Sequence, residues 1–422
     1  MSDIKDVEQA GPAVRLPSDR SDERLLTPSG LAGWSSDLKE RVKGGDLGSI
    51  PVIIGLVVIS IVFYVQEPAF LSSRSLVTIT QFAAPVGIIA LGIVMVLLLG
   101  EIDLSVGSMS GLAAAVMAVQ VVNNGHSMVY GLIAGLLAGV AVGLFYAFLY
   151  VRIGVPSFVF TLAGLLGFQG LLLFVLGDKG TINIPDSSSL VRFARYEFVT
   201  GTTAYVMVGV IVLVYFLLSA HGIRRRKQAG LSAPSLTGLA VRTVLLAVVL
   251  GYLTYYLNID RGWSYLWLLF VGLVVAMDLL LRKTRWGRHL FAVGGNEEAA
   301  RRSGIRVGRI YVSVFVLCST FAALGGLLAA GQQTSVSQAS GTTDTNLTAI
   351  AAAVIGGTSL FGGRGSAYSA LLGIVVLQAI QSGLNLIGVD SEVRFMVTGG
   401  VLLLAVAIDS VARRARSSSG RG

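Results

Sequence analysis

Residues 91–122 read LGIVMVLLLGEIDLSVGSMSGLAAAVMAVQVV: two uncharged apolar runs flank GEIDLSVGS (Gly100–Ser108), in which Glu101 and Asp103 stand two positions apart. A helix needs ~20 apolar residues to cross a ~30 Å hydrocarbon core, and both runs extend far enough for that. Carboxylates inside hydrocarbon are costly, so the stretch is either a turn at an aqueous face or a functional break within the bundle. The rest of the chain sets the context for that choice.

Of 422 residues, 54% are apolar and only 13% are charged, against about 25% charged in soluble domains. The mean hydropathy is +0.77. Such a composition belongs to an all-α polytopic membrane protein. The net charge of +9 does not point to nucleic acid, because most Lys and Arg fall in short blocks between apolar segments. Cys318 is the single cysteine, which excludes an intrachain disulfide and a cysteine metal cluster, and it reads as a packing residue. The first stretch, 1–48, is a polar tail expected to be mostly disordered, with amphipathic spacing over Leu31–Val42 that suits a short helix on the membrane surface. It offers no apolar core for a cleavable signal, so the first span is expected to stay in the mature chain.

Spanning helices are expected at about 50–66, 76–100, 104–122, 128–151, 157–176, 202–220, 237–257, 263–281, 309–331, 347–362, 366–387 and 393–410. Twelve crossings put both termini on one side. RRRK at 224–227, eight basic residues from Arg282 to Arg309 and the basic tail 411–422 all fall on that side, which the positive-inside rule makes the cytoplasm. The membrane body is then 49–410, with a charged cytosolic loop at 282–308. The polar segment 177–203 lies on the outside, as a cover for the outer mouth, a partner surface or an inert connector. Gly131, Gly135, Gly139 and Gly143 share one helical face suited to close backbone packing. Pro85 removes a backbone donor from the second helix, which is therefore expected to be kinked or discontinuous.

The chemistry inventory points away from an enzyme. His126, His221 and His289 fall in expected loops with no second ligand at metal spacing, so no metal site is indicated. GTSLFGGR at 357–364 lacks the Lys and Ser or Thr of a phosphate-binding loop. Asp278 and Arg242 sit near helix ends, where snorkelling explains them. The scarcity of buried carboxylates weakens an ion-coupled secondary transporter, which stays as the alternative.

The loop between the eighth and ninth spans contains its own short helix signal. Asn296 can cap, Glu297 and Glu298 suit the positive end, Ala299 and Ala300 propagate, Arg301 and Arg302 suit the negative end, and Gly304 can terminate. A two-turn helix in an aqueous loop is suited to a groove on another protein.

The pattern Gly294, Gly295, Asn296, Glu298, Ala299, Ala300, Ser303, Gly304, Ile305 resembles the coupling loop of permease subunits of bacterial sugar ABC importers of the ribose and xylose type. EIDLSVGSM (101–109), VPSFVFTLAG (155–164) and AIAAAVIGGTSLFGG (349–363) match the same family, in order, over about 75 to 410. Ribose-type members resemble a ten-helix core; the two further segments at 237–257 and 263–281, with the basic run 225–231, look most like the xylose-transport permeases. The resemblance implies about 12 transmembrane helices, ten in the core and two inserted, in a bacterial inner or plasma membrane. It also implies a second permease chain, a cytosolic ABC ATPase that uses ATP and Mg, and an extracytoplasmic sugar-binding protein, with no cofactor on this chain. Residues 294–305 would then couple to the ATPase.

A neutral sugar calls for amide and hydroxyl partners. Gln81, Gln169, Gln378, Gln381 and Asn385 are the pathway candidates, with interhelical hydrogen bonding as the equal alternative. Pro85, Glu101, Asp103, Ser105 and Gly107 are hinge or gate candidates. Asp103 is expected to cap the third helix, and Glu101 to pair with an arginine such as Arg152 or Arg364; capping and gating both stay open.

Overall fold

The computed structural model describes residues 50–418 apart from 232 and 234. The expected tail at 1–48, with its amphipathic stretch, and residues 419–422 lie outside them. The long helices are α1 (Ile50–Gln66), α2 (Ser73–Leu98), α3 (Val106–Ala118), α4 (Met128–Phe148), α5 (Ser157–Leu176), α6 (Gly201–Gln228), α7 (Leu236–Leu257) and α8 (Tyr265–Lys283). Then come the shorter α9 (Arg285–Gly295) and α10 (Glu297–Arg302), followed by α11 (Val307–Gln333), α12 (Thr343–Ile355), α13 (Tyr368–Leu386) and α14 (Ser391–Ser418). Residues 202–255, within α6 and α7, form one compact unit, and the remaining helices build the other.

Each expected span has a helix in its place. Nine of the helices among the described residues are long and apolar enough to cross a membrane, counting the π-turns that extend α3 to Asn123 and α4 to Ile153. α1 and α12 are shorter apolar helices. The span expected over 347–362 stops at Ile355, because Gly357, Gly362, Gly363 and Gly365 take positive φ and turn the chain beyond it into a loop. α14 continues to Ser418, so no helix end separates the last span from the basic tail. His221 and His289 lie in α6 and α9 rather than in loops, and His126 stacks on Tyr130 with ring centroids 4.5 Å apart.

α2 is the centre of the bundle: every residue from Ile88 to Leu98 that carries an apolar side chain is at most 1% exposed. A helix that is apolar all round has to be covered all round. α11 runs antiparallel beside it, with Gly325 against the Pro85 carbonyl and Gly92 against the Cys318 carbonyl. Pro85 does not interrupt α2, contrary to a discontinuous second helix. The missing proline N–H frees the carbonyl four residues back, that of Gln81. Gln332 of α11 supplies the lost donor, its Nε2 lying 2.9 Å from the Gln81 carbonyl oxygen.

The four-glycine face of α4 packs as expected. Gly131 lies against Met117, Gly135 against the Ala113 carbonyl, Gly139 against the Ser319 carbonyl, and Gly143 against Val316 and the Phe315 carbonyl. A side chain at any of them would force two helices apart.

Two parts of the bundle repeat each other. GLAAAVMA (111–118) in α3 and AIAAAVIG (349–356), the second half of α12 and the residue after it, are 238 positions apart, as are Gly135 and Gly373. Gly135 of α4 and Gly373 of α13 each press against a carbonyl of the preceding alanine run, at Ala113 and Ala352. Since α2 and α11 are antiparallel, α2–α3–α4 and α11–α12–α13 are one arrangement in two opposite directions, as in many transport proteins.

Two small antiparallel ribbons close the end opposite α10. β1 (Thr181–Asn183) and β4 (Ser335–Ser337) pair with Ile182 facing Val336, and β2 (Phe198–Val199) pairs with β3 (Trp263–Ser264). The segment 177–200 is thereby held down.

Candidate functional site

At the other end of the bundle, glycines let three backbone segments touch. The Gly363 N–H donates to the Leu98 carbonyl at 2.9 Å. A Cβ on Gly294, at the end of α9, would lie 1.8 Å from the same carbonyl oxygen; one on Gly362 would lie 2.6 Å from the Gly294 carbonyl and 2.9 Å from the Gly100 N. Gly295 is different, since a side chain there would meet nothing. The turn after α2, the end of α9 and the loop between α12 and α13 are therefore locked together by main chain. Three stretches singled out in the sequence meet at this junction.

α10 comes directly after it. Asn296 Oδ1 accepts from the Ala299 N–H at 2.9 Å, which is the cap its sequence signals. Glu297 pairs with Arg301 at 2.6 Å and Glu298 with Arg302 at 3.0 Å. Ala300 is 4% exposed and anchors the helix, the Ser303 hydroxyl donates to the Ala299 carbonyl, and Gly304 ends it at φ +81°. α9, whose Thr284 hydroxyl caps it through the Gly287 N–H, was not legible in the sequence.

A chain of contacts leads from α10 into the bundle. Tyr311 of α11 donates to Glu297 Oε2 at 3.2 Å. Its ring lies 4.4 Å from that of Tyr150, whose hydroxyl donates to Glu101 Oε1 at 2.6 Å. The Ser157 hydroxyl donates to Glu101 Oε2. Glu101 is thus held by two hydroxyls, and not by Arg152 or Arg364 as expected. Neutral donors suffice because the carboxylate is only half-buried. In the sequence Glu297 stands out only as a charge at the positive end of the short helix, Glu298 alone belongs to the coupling pattern, and Tyr311 and Tyr150 carry no signal; the i, i+4 spacing of Glu297 and Arg301 is visible there, but the second partner of Glu297 on another helix is not.

Asp103 sits deeper, 1% exposed. Its Oδ1 accepts from the Ser105 N–H at 2.8 Å and the Ser105 hydroxyl at 2.7 Å, Ser105 in turn accepts from the Tyr146 hydroxyl at 2.8 Å, and the Cys318 thiol points at Oδ2 from 3.7 Å. α3 starts at Val106 with no side-chain cap. Asp103 accordingly forms an Asx-type turn before the helix rather than capping it, a correction of the expected role. Cys318 does more than pack. Gly107 N–H donates to Asn346 Oδ1, which joins the start of α3 to the start of α12.

The pathway candidates scatter. Gln81 is buried and its Nε2 donates to the Ala194 and Arg195 carbonyls, tying α2 to the 177–200 segment. Gln169, Gln378 and Gln381 are half-buried, and Asn385 is exposed and accepts from Arg394. Asp278, near the end of α8, pairs with Arg282 at 2.8 Å. Among the described residues no group of three or more His, Cys, Asp or Glu is placed to hold a metal.

Residues 75–406 match the family model described as the permease component of branched-chain amino acid transport systems. The xylose transport system permease protein of Escherichia coli (strain K12) is 32% identical over 398 residues, 94% of this chain and 99% of its own length. The chain belongs to the permease family of bacterial sugar ABC importers. Other relatives of this permease carry other cargo names: the ribose import permease protein of Bacillus subtilis (strain 168), 32% identical over 86% of this chain and 94% of its own, and the galactose/methyl galactoside import permease protein of Salmonella typhimurium, 28% over 86% and 94%. No solved structure matches the permease. It is a multi-pass membrane transport subunit and not an enzyme.

Proposed function

We propose that this permease forms, as a pair of identical chains, the translocation pathway of an ATP-driven monosaccharide importer whose cargo is xylose. A cytosolic ABC ATPase docks on residues 294–305, hydrolysing ATP with Mg, and an extracytoplasmic binding protein delivers the sugar at the opposite end. The chain crosses the bacterial inner or plasma membrane twelve times with both termini cytoplasmic, the basic loop 282–308 and the basic tail 411–422 lying on that side. Residues 49–410 are the permease body and 1–48 a cytosolic tail.

The observation that carries the coupling part is the glycine junction at Gly294, Leu98 and Gly363 beside the capped α10. With backbone against backbone there is no flexible side chain to absorb motion, so a push on α10 moves the end of α2 and the α12–α13 loop together. Glu101, Asp103, Ser105 and Gly107 lie next along that line and act as the gate, with Pro85 the hinge above them. The match to a xylose permease over 94% of the chain, against 86% for the ribose and galactose permeases, supports xylose as the cargo. The pathway itself is lined by hydroxyl and amide groups, Gln169, Gln378 and Gln381 among them.

Reconstituting the permease with its ATPase and binding protein in proteoliposomes tests this. Xylose should accumulate with ATP inside the cytosolic compartment, in preference to ribose, galactose and fructose. Accumulation of another sugar in preference to xylose would overturn the cargo, and none with any sugar would overturn the import function.

A further inference from the structure

Two of the sequence motifs, EIDLSVGSM and VPSFVFTLAG, meet in a cavity of about 400 Å³ at the α10 end of the bundle. Glu101 comes from the turn before α3, Tyr150 from the end of α4, Val155 and Pro156 from the turn between α4 and α5, and Ser157 and Phe158 from the start of α5. Both carboxylate oxygens of Glu101 already receive a hydroxyl proton, from Tyr150 and from Ser157. Having given their protons to Glu101, these hydroxyls offer only lone pairs to a guest, and the carboxylate keeps lone pairs of its own. On one wall the polar side chains of the cavity therefore accept hydrogen bonds and donate none, and the only donors beside them are the first backbone N–H groups of α5, at Ser157 and Phe158. The other wall is apolar, made of Val155, Pro156 and the ring of Phe158, 58% exposed.

A guest that fits must donate several hydrogen bonds on one edge and present C–H groups on the other. A monosaccharide does both. An arginine or lysine head from a partner protein does only the first, and the charge that would draw it is already shared with two hydroxyl donors. The volume lies in the range of small-molecule sites and exceeds what one side chain head fills.

We propose that this cavity is a monosaccharide subsite at the cytosolic end of the path, where Glu101, Tyr150 and Ser157 accept from sugar hydroxyls and Phe158 covers the C–H face. This rests on the sugar-permease reading. Because the ring of Tyr150 packs at a tilt against that of Tyr311, which bonds Glu297 of α10, an occupied subsite bears directly on the coupling helix.

The test is saturation-transfer NMR with D-xylose on the permease and its ATPase in lipid nanodiscs, with the binding protein omitted. Wild type is expected to show xylose contact, weakened about tenfold in Glu101→Gln, the loss expected for one hydrogen bond to a charged group. Phe158→Ala, at an exposed position whose loss leaves the fold intact, should weaken it as well. Contact unchanged in both variants overturns the subsite, and so does absence of contact in wild type while ATP-driven uptake with the binding protein is intact; that last result leaves the permease reading standing. Failure of ATP-driven uptake in wild type removes both. Cross-linking of Phe158→Cys to the resting ATPase would show a protein in the cavity and overturn the proposal.

Discussion

Two neighbouring glycines separate what a residue type permits from what a position requires. A methyl group on Gly294 falls on a backbone carbonyl that cannot swing away, whereas one on Gly295 meets nothing. Gly294→Ala should cost about 1–3 kcal/mol of packing at the junction and abolish most sugar uptake; Gly295→Ala should leave uptake near wild type. Uptake assays at matched membrane levels compare the two, and equal behaviour would contradict the interlock. Gln332 gives a second residue-scale expectation. Gln332→Leu leaves the Gln81 carbonyl, freed by Pro85, without its donor inside the bundle, which should cost about 1–3 kcal/mol. A lower melting temperature in detergent is the expected readout, and restoring a backbone donor with Pro85→Ala in the same chain should recover most of it.

Among the elements, α10 is the one whose form was most legible. Cap, charges, alanines and terminating glycine occur in order within Asn296–Gly304, and a helix so short depends on them because nucleation is costly. Asn296→Ala should destabilise α10 by about 1 kcal/mol and weaken binding of the ATPase, measured by pull-down or calorimetry. Tyr311→Phe keeps the ring on Tyr150 but removes the bond to Glu297; it should leave ATPase binding intact while lowering the sugar moved per ATP. The spans were legible because apolar length is a local signal. What stayed hidden depends on partners distant in the chain: the Asx turn at Asp103, Glu101 held by Tyr150 and Ser157, Gln332 mending α2 at Pro85, and the end of α12 at Ile355. The twin runs LAAAV (112–116) and IAAAV (350–354) were in plain sight, yet their meaning came only with the opposed packing of α2 and α11.

For the whole molecule, the opposed repeats bring α3 and α12 together at Gly107 and Asn346, with the α10 junction at one end and the β-ribbons at the other. A body of that form suits alternating exposure of a central path, driven from the end where α10 is proposed to dock. The stretch GEIDLSVGS lies on the line between the two: Glu101 faces the α10 side, Asp103 turns inward, and Gly107 touches the other repeat. Its carboxylates need no ion to explain them, being held by hydroxyls, a thiol and an amide. The family, and not these contacts, is the ground for expecting the energy source outside the chain. The most direct test measures xylose uptake and ATP hydrolysis together in proteoliposomes holding the complete importer, for wild type and for Glu298→Ala with Gly304→Ala. Wild-type uptake should require ATP and survive proton and sodium ionophores, and the double variant should lose uptake while remaining inserted in the membrane. Uptake that persists without ATP and collapses with an ionophore, or that is unchanged in the double variant, would contradict ATP-driven coupling through α10.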